Sequence, residues 1–214
     1  MELPCRRYGR TNLNMPVLSL GSMRFQKSWD ELKFSEISRK EQNKVENILN
    51  LADEFGFNHI ETAKYYGTSE IQLGMGFKST KKIPKIIQTK IPPNRDAKLF
   101  EAELLKSFEK LQVKKIDLLA IHGINLPEHL HQAVKDGGCI DILKKFQKQN
   151  LIHSNFFGIS CLLRTKQAFL DWFYQICDKA TPLEINACSF LEVFLMIETC
   201  PCQDYSLDLL SFQI

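Results

Sequence analysis

The sequence predicts an α/β fold in which parallel strands alternate with helices. Short apolar runs recur along the chain, and most are followed by a longer segment whose apolar residues have helical spacing. The short runs are apolar throughout, as expected for strands that are buried on both faces of a sheet. The 214 residues, with ordinary apolar and charged fractions, suffice for one large domain or two small ones.

Five strands and four helices are predicted, in alternation. The strands are expected at residues 16–23, 59–63, 85–91, 116–124 and 155–160, and the helices at 41–55, 70–78, 96–111 and 141–149. Gly56 provides a C-terminal stop for the first helix. Two helices carry an apolar face that we expect to pack on the sheet, formed by Val45, Ile48, Leu49, Ala52 and Phe55 in the first and by Phe100, Leu104, Phe108 and Leu111 in the third.

Two architectures fit this alternation: an open doubly wound sheet and a closed eight-stranded barrel. The open sheet commonly carries a glycine-rich phosphate loop after its first strand, and residues 21–24, GSMR, contain no such loop. A TIM-type (β/α)₈ barrel is therefore favoured. The strand ends recur about every 35 residues, so eight strands would extend to about residue 264. The sequence predicts an incomplete barrel of about five to six βα units, with residues 183–189 as the candidate sixth strand.

Each of the five predicted strands ends in a polar residue, namely Ser22, Glu61, Lys90, His122 and Ser160. In a barrel of this class the active site forms at the carboxyl ends of the strands. Exposure of the strand end to water would explain any one of these residues equally well. Five in succession, among them an acid, a lysine and a histidine, favour a functional site.

Composition and charge argue against several classes of protein. The net charge of +3 is small, and no cluster of basic residues interleaves with aromatic ones as in a nucleic-acid groove. No run approaches the roughly 18 apolar residues of a membrane helix. The first residues lack the apolar run of a signal peptide, so a cytoplasmic location is expected. The seven cysteines contain no CxxC pair, so we expect reduced thiols and no metal site.

Several spaced motifs between residues 6 and 160 resemble those of the aldo/keto reductase family. The segment 59–70, HIETAKYYGTSE, is similar to the family signature Asp-Thr-Ala-x-x-Tyr-Gly followed by Ser-Glu. Other matches are YGRTNL at 8–13, LGSMR at 20–24, QTK at 88–90, IDLLAIHG at 116–123 and FGIS at 157–160. The chain looks most like a branch of oxidoreductases in which some members carry an iron–sulfur module. The tail sequence CPC at 200–202 lacks the cysteine spacing of such a module.

The resemblance implies an enzyme that moves hydride between NADP(H) and a small carbonyl or alcohol. By this resemblance, Tyr66 donates the proton, Lys90 lowers the pKa of the Tyr66 phenol, and His122 orients the carbonyl oxygen. Glu61 stands where most of the family has an aspartate paired with the lysine. It keeps the charge on a side chain that is one methylene longer, and we expect an ion pair between Glu61 and Lys90.

The resemblance also implies that Ser22, Met23 and Ser160 contact the coenzyme. The expected partner is a small carbonyl substrate, with neither nucleic acid nor a membrane involved, and the sequence leaves the oligomeric state open. A coenzyme-binding regulatory protein on the same scaffold and a non-functional barrel fragment are the alternatives. A pure binder would not need Tyr66, Lys90 and His122 together, which favours the enzyme.

The composition changes after residue 160. All ten glycines lie in residues 1–160, and five of the seven cysteines follow. The family resemblance fades at the same point, and the loop that grips the adenosine 2′-phosphate has no counterpart. Residues 1–160 are therefore expected to form the N-terminal part of the barrel. Residues 161–214 are either a divergent continuation, with a helix at 166–177 and a strand at 183–189, or the frameshifted tail of a truncated protein that binds NADPH weakly.

Overall fold

The computed structural model describes residues 3–159 together with two short strands further along the chain. In chain order the strands are β1 (Cys5–Tyr8), β2 (Leu13–Pro16), β3 (Leu20–Gly21), β4 (His59–Glu61), β5 (Ile86–Ile91), β6 (Ile116–His122), β7 (Ile152–Ile159), β8 (Ile185–Cys188) and β9 (Phe194–Leu195). The helices are α1 (Arg39–Glu54), α2 (Ser69–Thr80), α3 (Ala97–Leu111), α4 (Pro127–Val134) and α5 (Cys139–Lys148).

Short polar side chains fix where two of the long helices begin. The Ser38 hydroxyl accepts a hydrogen bond from the backbone N–H of Glu41 at the start of α1. The Asp96 carboxylate accepts one from the N–H of Lys98, at 2.8 Å, at the start of α3. Such caps satisfy backbone donors that have no partner within the helix. Gly56, which follows α1, has a φ of +79°, as its predicted role as a helix stop requires.

The strand order distinguishes the two architectures that the sequence left open. Strands β3 to β9 form one sheet in sequential order, and β3 to β8 are parallel, with helices between successive strands from β3 to β7. A doubly wound sheet would reverse its order at a switch point, whereas a barrel adds each βα unit to the same side of the last. The described residues thus form part of a TIM-type (β/α)₈ barrel, and the predicted fold class is confirmed.

The core has an outer and an inner layer. The outer layer packs helices on the sheet, and Phe100, Leu104 and Leu111 of α3 are fully buried in it, as predicted. The inner layer contains Tyr8 of the β1–β2 hairpin, which packs with Ile86, Leu118 and Ala120 of the barrel strands. The hairpin therefore covers the amino-terminal end of the strands, opposite the end that carries the predicted site.

Some details of the predicted elements are wrong. Ile48 of α1 is 36% exposed, and Phe55, which follows the helix, is 52% exposed. Gln42 is instead fully buried, and its side-chain amide donates to the Gln72 carbonyl at 3.1 Å. The buried face runs through Gln42, Val45 and Leu49, and helical spacing alone does not show which of the adjacent apolar residues Ile48 and Leu49 faces the core.

The strand predicted at 16–23 is also wrong in extent. The chain forms the hairpin strand β2, which ends at Pro16, and then the two-residue strand β3. The hairpin and α4 were not predicted. The other predicted strands and helices agree with the structure to within three residues, and β8 lies inside the predicted sixth strand. The predicted helix at 166–177 lies outside the described residues. Among the helices that the structure describes, none has the length and apolar character needed to cross a membrane.

The close approach of α2 to its neighbours gives a test of the packing. A Cβ added at Gly74 would lie 2.1 Å from the Lys110 backbone carbonyl oxygen, whereas one at Gly76 would meet the end of the Leu49 side chain at 2.5 Å. Alanine improves helix propensity by about 1 kcal/mol at either position. We expect Gly74→Ala to lower the free energy of unfolding by about 1–3 kcal/mol, because the backbone cannot move aside.

Gly76→Ala is the matched control and should lower the free energy of unfolding by less than Gly74→Ala, since the Leu49 methyl group can rotate away. Urea unfolding of the 214-residue chain, followed by circular dichroism, measures both variants. Equal unfolding midpoints for the two variants would show that the backbone contact at Gly74 does not limit the packing.

Candidate active site

Parallel register brings the polar ends of three successive strands to one edge of the barrel. Glu61 is the last residue of β4, Lys90 is the penultimate residue of β5, and His122 is the last residue of β6. The pairing of β4 with β5 continues past Glu61, since the N–H of Lys64 donates to the Lys90 carbonyl at 2.9 Å. Tyr66 enters from the loop between β4 and α2. The structure therefore places all four predicted catalytic residues at one mouth.

Lys90 is the centre of this cluster. Its ammonium group forms a direct ion pair with Oε1 of Glu61 and donates to the Tyr66 hydroxyl at 2.9 Å. The same hydroxyl lies 3.5 Å from Oε1 of Glu61. Lys90 is only 4% exposed, and a buried ammonium is tolerated where it has charged and hydrogen-bonding partners. The predicted ion pair between Glu61 and Lys90 is present.

His122 faces Tyr66 across the mouth. The two rings meet edge to face with centroids 6.1 Å apart, and the ring of Tyr65 lies 5.8 Å away on another side. Burial, and secondly the positive charge of Lys90, lower the pKa of His122 to about 4. The imidazole is therefore neutral at pH 7 and has one N–H to donate. Its Nδ1 is buried and has no hydrogen-bond partner among the described residues.

The three residues predicted to contact the coenzyme differ in their placement. Ser22 is fully buried, and its hydroxyl donates to the Glu61 carbonyl oxygen at 2.9 Å. Ser22 lies between β3, which ends at Gly21, and a 3₁₀ helix (Met23–Phe25). Met23 is half-buried in that turn. Ser160 lies outside the described residues.

Hydrogen bonds hold the loop that carries Tyr66 against the loop that follows β3. The N–H of Lys27 donates to the Thr68 hydroxyl at 2.6 Å, and the N–H of Thr68 donates to the Ser28 carbonyl at 3.2 Å. Gly67 has a φ of +51°, and a Cβ there would lie 1.8 Å from the Ser28 carbonyl oxygen. Glycine is required at this position for both reasons. The backbone beside Tyr66 is thus held from two sides.

Sequence reasoning missed a second carboxyl group, which lies behind the site. Glu70 is almost fully buried, and it accepts hydrogen bonds from the hydroxyls of Thr89 at 2.6 Å and Ser107 at 3.1 Å. Burial raises the pKa of Glu70, and the two hydroxyl donors oppose that effect only in part. Its place in the Ser-Glu pair of the signature was the available signal. No group of three metal-binding side chains occurs within the part of the chain that the structure describes.

The sequential strand order and the polar mouth define a protein of the (β/α)₈-barrel class. The family model of the aldo/keto reductase family matches residues 17–155, which is well over half of the chain. The chain belongs to the aldo/keto reductase family. No curated protein sequence matches it significantly.

Solved structures agree with the fold. A Pseudomonas aeruginosa protein described as an aldo-keto reductase is 21% identical with a TM-score of 0.61, over 74% of this chain and 62% of its own. The holo form of AKR11C1 from Bacillus halodurans is 18% identical with a TM-score of 0.61, over 87% and 57%. AKR2E4 of Bombyx mori in complex with NADP is 20% identical with a TM-score of 0.52, over 74% and 51%. The chain thus spans about three fifths or less of the length of these structures.

The low pKa of His122 gives a prediction for its titration. Because burial and Lys90 both lower it, the His122 ring resonances should titrate near pH 4 in an NMR experiment, with His122→Gln used for assignment. Lys90→Met removes the second cause and should move the midpoint part of the way toward 6.5. Burial of the neutral His122 ring contributes stability that is complete above pH 6.5, its ordinary pKa, and is lost as the pH falls toward 4. A midpoint near 6.5 in the unmodified chain would contradict this assignment.

The raised pKa of Glu70 predicts the opposite dependence. The folded state favours the protonated Glu70 carboxyl and is stabilised by it. This contribution is complete below the pKa that Glu70 has in the unfolded chain, and it is lost as the pH rises through its pKa in the folded protein. Glu70→Gln cannot ionise, and it should gain stability relative to the unmodified chain as the pH is raised. Glu109→Gln, at an exposed position on α3, is the control. Urea unfolding midpoints measured at several pH values test this prediction. The same pH trend in both variants would exclude Glu70 as the cause of the pH-dependent loss of stability.

Proposed function

We propose that the protein is an NADP(H)-dependent oxidoreductase that transfers hydride between the coenzyme and a small carbonyl or alcohol, with Tyr66 as the proton donor. The observation that carries this proposal is the 2.9 Å hydrogen bond from the Lys90 ammonium to the Tyr66 hydroxyl at the barrel mouth. Family membership supports an oxidoreductase. The choice of NADP(H) is supported by the Bombyx mori structure, which is a complex with NADP.

The residues at the mouth fit the reacting end of such a coenzyme and its substrate. When bound, the reduced coenzyme supplies a hydride to the carbonyl carbon. The partly exposed ring of His122 and the Tyr66 hydroxyl, which lie beside each other, offer polar groups to a carbonyl oxygen. Met23 and Ser160 are proposed to contact the coenzyme. This set of groups is what proton transfer to a carbonyl oxygen requires.

Tyr66, rather than His122, is suited to supply the proton. With a pKa of about 4, His122 carries no proton to release as an acid at pH 7, although its neutral N–H can orient the carbonyl oxygen. Tyr66 would donate its hydroxyl proton to the developing alkoxide. The Lys90 ammonium would then stabilise the phenolate that remains, and an electrostatic contact of this kind is effective in a site shielded from water.

Glu61 holds the cation in place for this step. Its carboxylate pairs directly with the Lys90 ammonium and is 3.5 Å from the Tyr66 hydroxyl. An unpaired carboxylate beside Tyr66 would oppose formation of the phenolate, because like charges repel. Paired with Lys90, it leaves the region near neutral and fixes the ammonium beside the phenol. The longer glutamate side chain is thus compatible with the role that the family assigns to aspartate.

The test compares two adjacent tyrosines. Tyr66→Phe removes the proposed donor and should lower turnover by about 100-fold or more, while coenzyme binding persists. Tyr65→Phe removes a hydroxyl from a ring that also lies beside His122, and it should keep turnover within a few-fold. Oxidation of saturating NADPH is followed with a panel of aldehydes and ketones, and coenzyme binding is followed by fluorescence. Equal turnover in the two variants would remove Tyr66 from the mechanism.

A further inference from the structure

Three hydroxyl groups are buried directly beneath the carboxyl end of β4. Ser22, Thr62 and Ser69 are all fully buried. The Ser22 hydroxyl lies 2.9 Å from the Glu61 carbonyl oxygen and 2.8 Å from the Ser69 hydroxyl. The Ser69 hydroxyl lies 2.9 Å from the Ser22 carbonyl oxygen and 3.0 Å from the Thr62 hydroxyl. These contacts join the end of β3, the end of β4 and the first residue of α2.

The two carbonyl oxygens fix the direction of two bonds in this network. Three hydroxyls have three protons for four contacts, and a carbonyl oxygen can only accept. In the contacts with carbonyl oxygens, the Ser22 hydroxyl donates to Glu61 and the Ser69 hydroxyl donates to Ser22, whereas either partner can donate in the contacts between two hydroxyls. The hydroxyls form a chain of contacts from Thr62 through Ser69 and Ser22 to the Glu61 carbonyl, and hydrogen bonds in such a chain strengthen one another.

Ser69 connects both sides of the candidate site. Through its side chain and Ser22 it reaches the backbone of Glu61, whose carbonyl also accepts from the N–H of Ser22 at 2.9 Å. Through its own backbone N–H it donates to the Tyr66 carbonyl at 2.9 Å. The carboxylate of Glu61 and the phenol of Tyr66 both contact Lys90. Ser69 therefore lies between the anchor points of the two groups that hold the ammonium.

We propose that the Ser69 hydroxyl is a positioning group that sets the separation of Glu61 and Tyr66 around Lys90. The inference rests on the proposed function, since it assigns the network to the catalytic groups of that reaction. The loop from Thr62 to Thr68 begins at a member of this hydroxyl chain and leads into the first residue of α2, Ser69, which is another member. Without the Ser69 hydroxyl, the hydrogen-bonded link from the Glu61 carbonyl through Ser22 to the start of α2 is lost, and the 2.9 Å contact between Lys90 and Tyr66 lengthens.

The test uses two buried serines. Ser69→Ala and Ser107→Ala each delete one buried hydroxyl from a helix, and the Ser107 hydroxyl donates to Glu70, away from the Ser22–Ser69–Thr62 network. Both variants should unfold at lower urea concentration. Only Ser69→Ala should raise the midpoint of the Tyr66 phenolate absorbance, taken as the difference between chains with and without Tyr66→Phe. It should also lower kcat about tenfold, with the KM for coenzyme retained.

A second pair of variants decides the matter if Ser69→Ala does not fold. Thr62→Val removes the hydroxyl that contacts Ser69 with little change in volume, and Thr62→Ser keeps it. Thr62→Val should move the phenolate midpoint in the same direction as Ser69→Ala, and Thr62→Ser should leave it in place. Equal midpoints in Thr62→Val and Thr62→Ser would overturn the proposal, as would equal midpoints in Ser69→Ala and Ser107→Ala.

The phenolate titration needs neither coenzyme nor substrate. If the chain reduces no carbonyl while the midpoint still responds to Ser69, the positioning role stands and the proposed function fails. If turnover depends on Tyr66 while the midpoint ignores Ser69, the proposed function stands and the positioning role fails.

Discussion

The buried ammonium group of Lys90 is the constraint on which the site depends. Removing such a charge from water costs several kcal/mol unless partners replace the lost hydration. Glu61 supplies the opposite charge and Tyr66 an oxygen acceptor. These partners come from the neighbouring strand and the loop that follows it, so the parallel pairing of β4 with β5 and the placing of that loop are prerequisites for burying the charge.

The same charge sets the chemical character of its surroundings. It contributes to keeping His122 neutral, and this is one reason for proposing Tyr66 rather than His122 as the proton donor. On the other side of β5, Glu70 has only hydroxyl donors, and burial favours its protonated form. Two glutamates nine positions apart thus meet different surroundings, one in an ion pair with Lys90 and one hydrogen-bonded by two hydroxyls, with no ion pair among the described residues. Local environment, rather than residue type, decides what each carboxyl can do.

Much of the fold was predictable from the sequence because the barrel repeats one local pattern. Apolar runs located β4 to β7, and the polar residues at their ends located Glu61, Lys90 and His122. The errors arise where local pattern is weak. Strand β3 has only two residues, and the buried face of α1 includes the polar Gln42. The β1–β2 hairpin went unrecognised because its burial comes from barrel strands that are distant in the sequence.

By itself the sequence determined the family, the parallel α/β order and the strand ends that carry the site, since these follow from short motifs and spacing. Only the tertiary structure decided which atoms meet. Lys90 reaches Glu61 and Tyr66 because of strand register, and Ser22 turns its hydroxyl to the Glu61 carbonyl rather than to the mouth. Contacts between residues many positions apart depend on register and on the path of loops, and neither is encoded in the residues nearby.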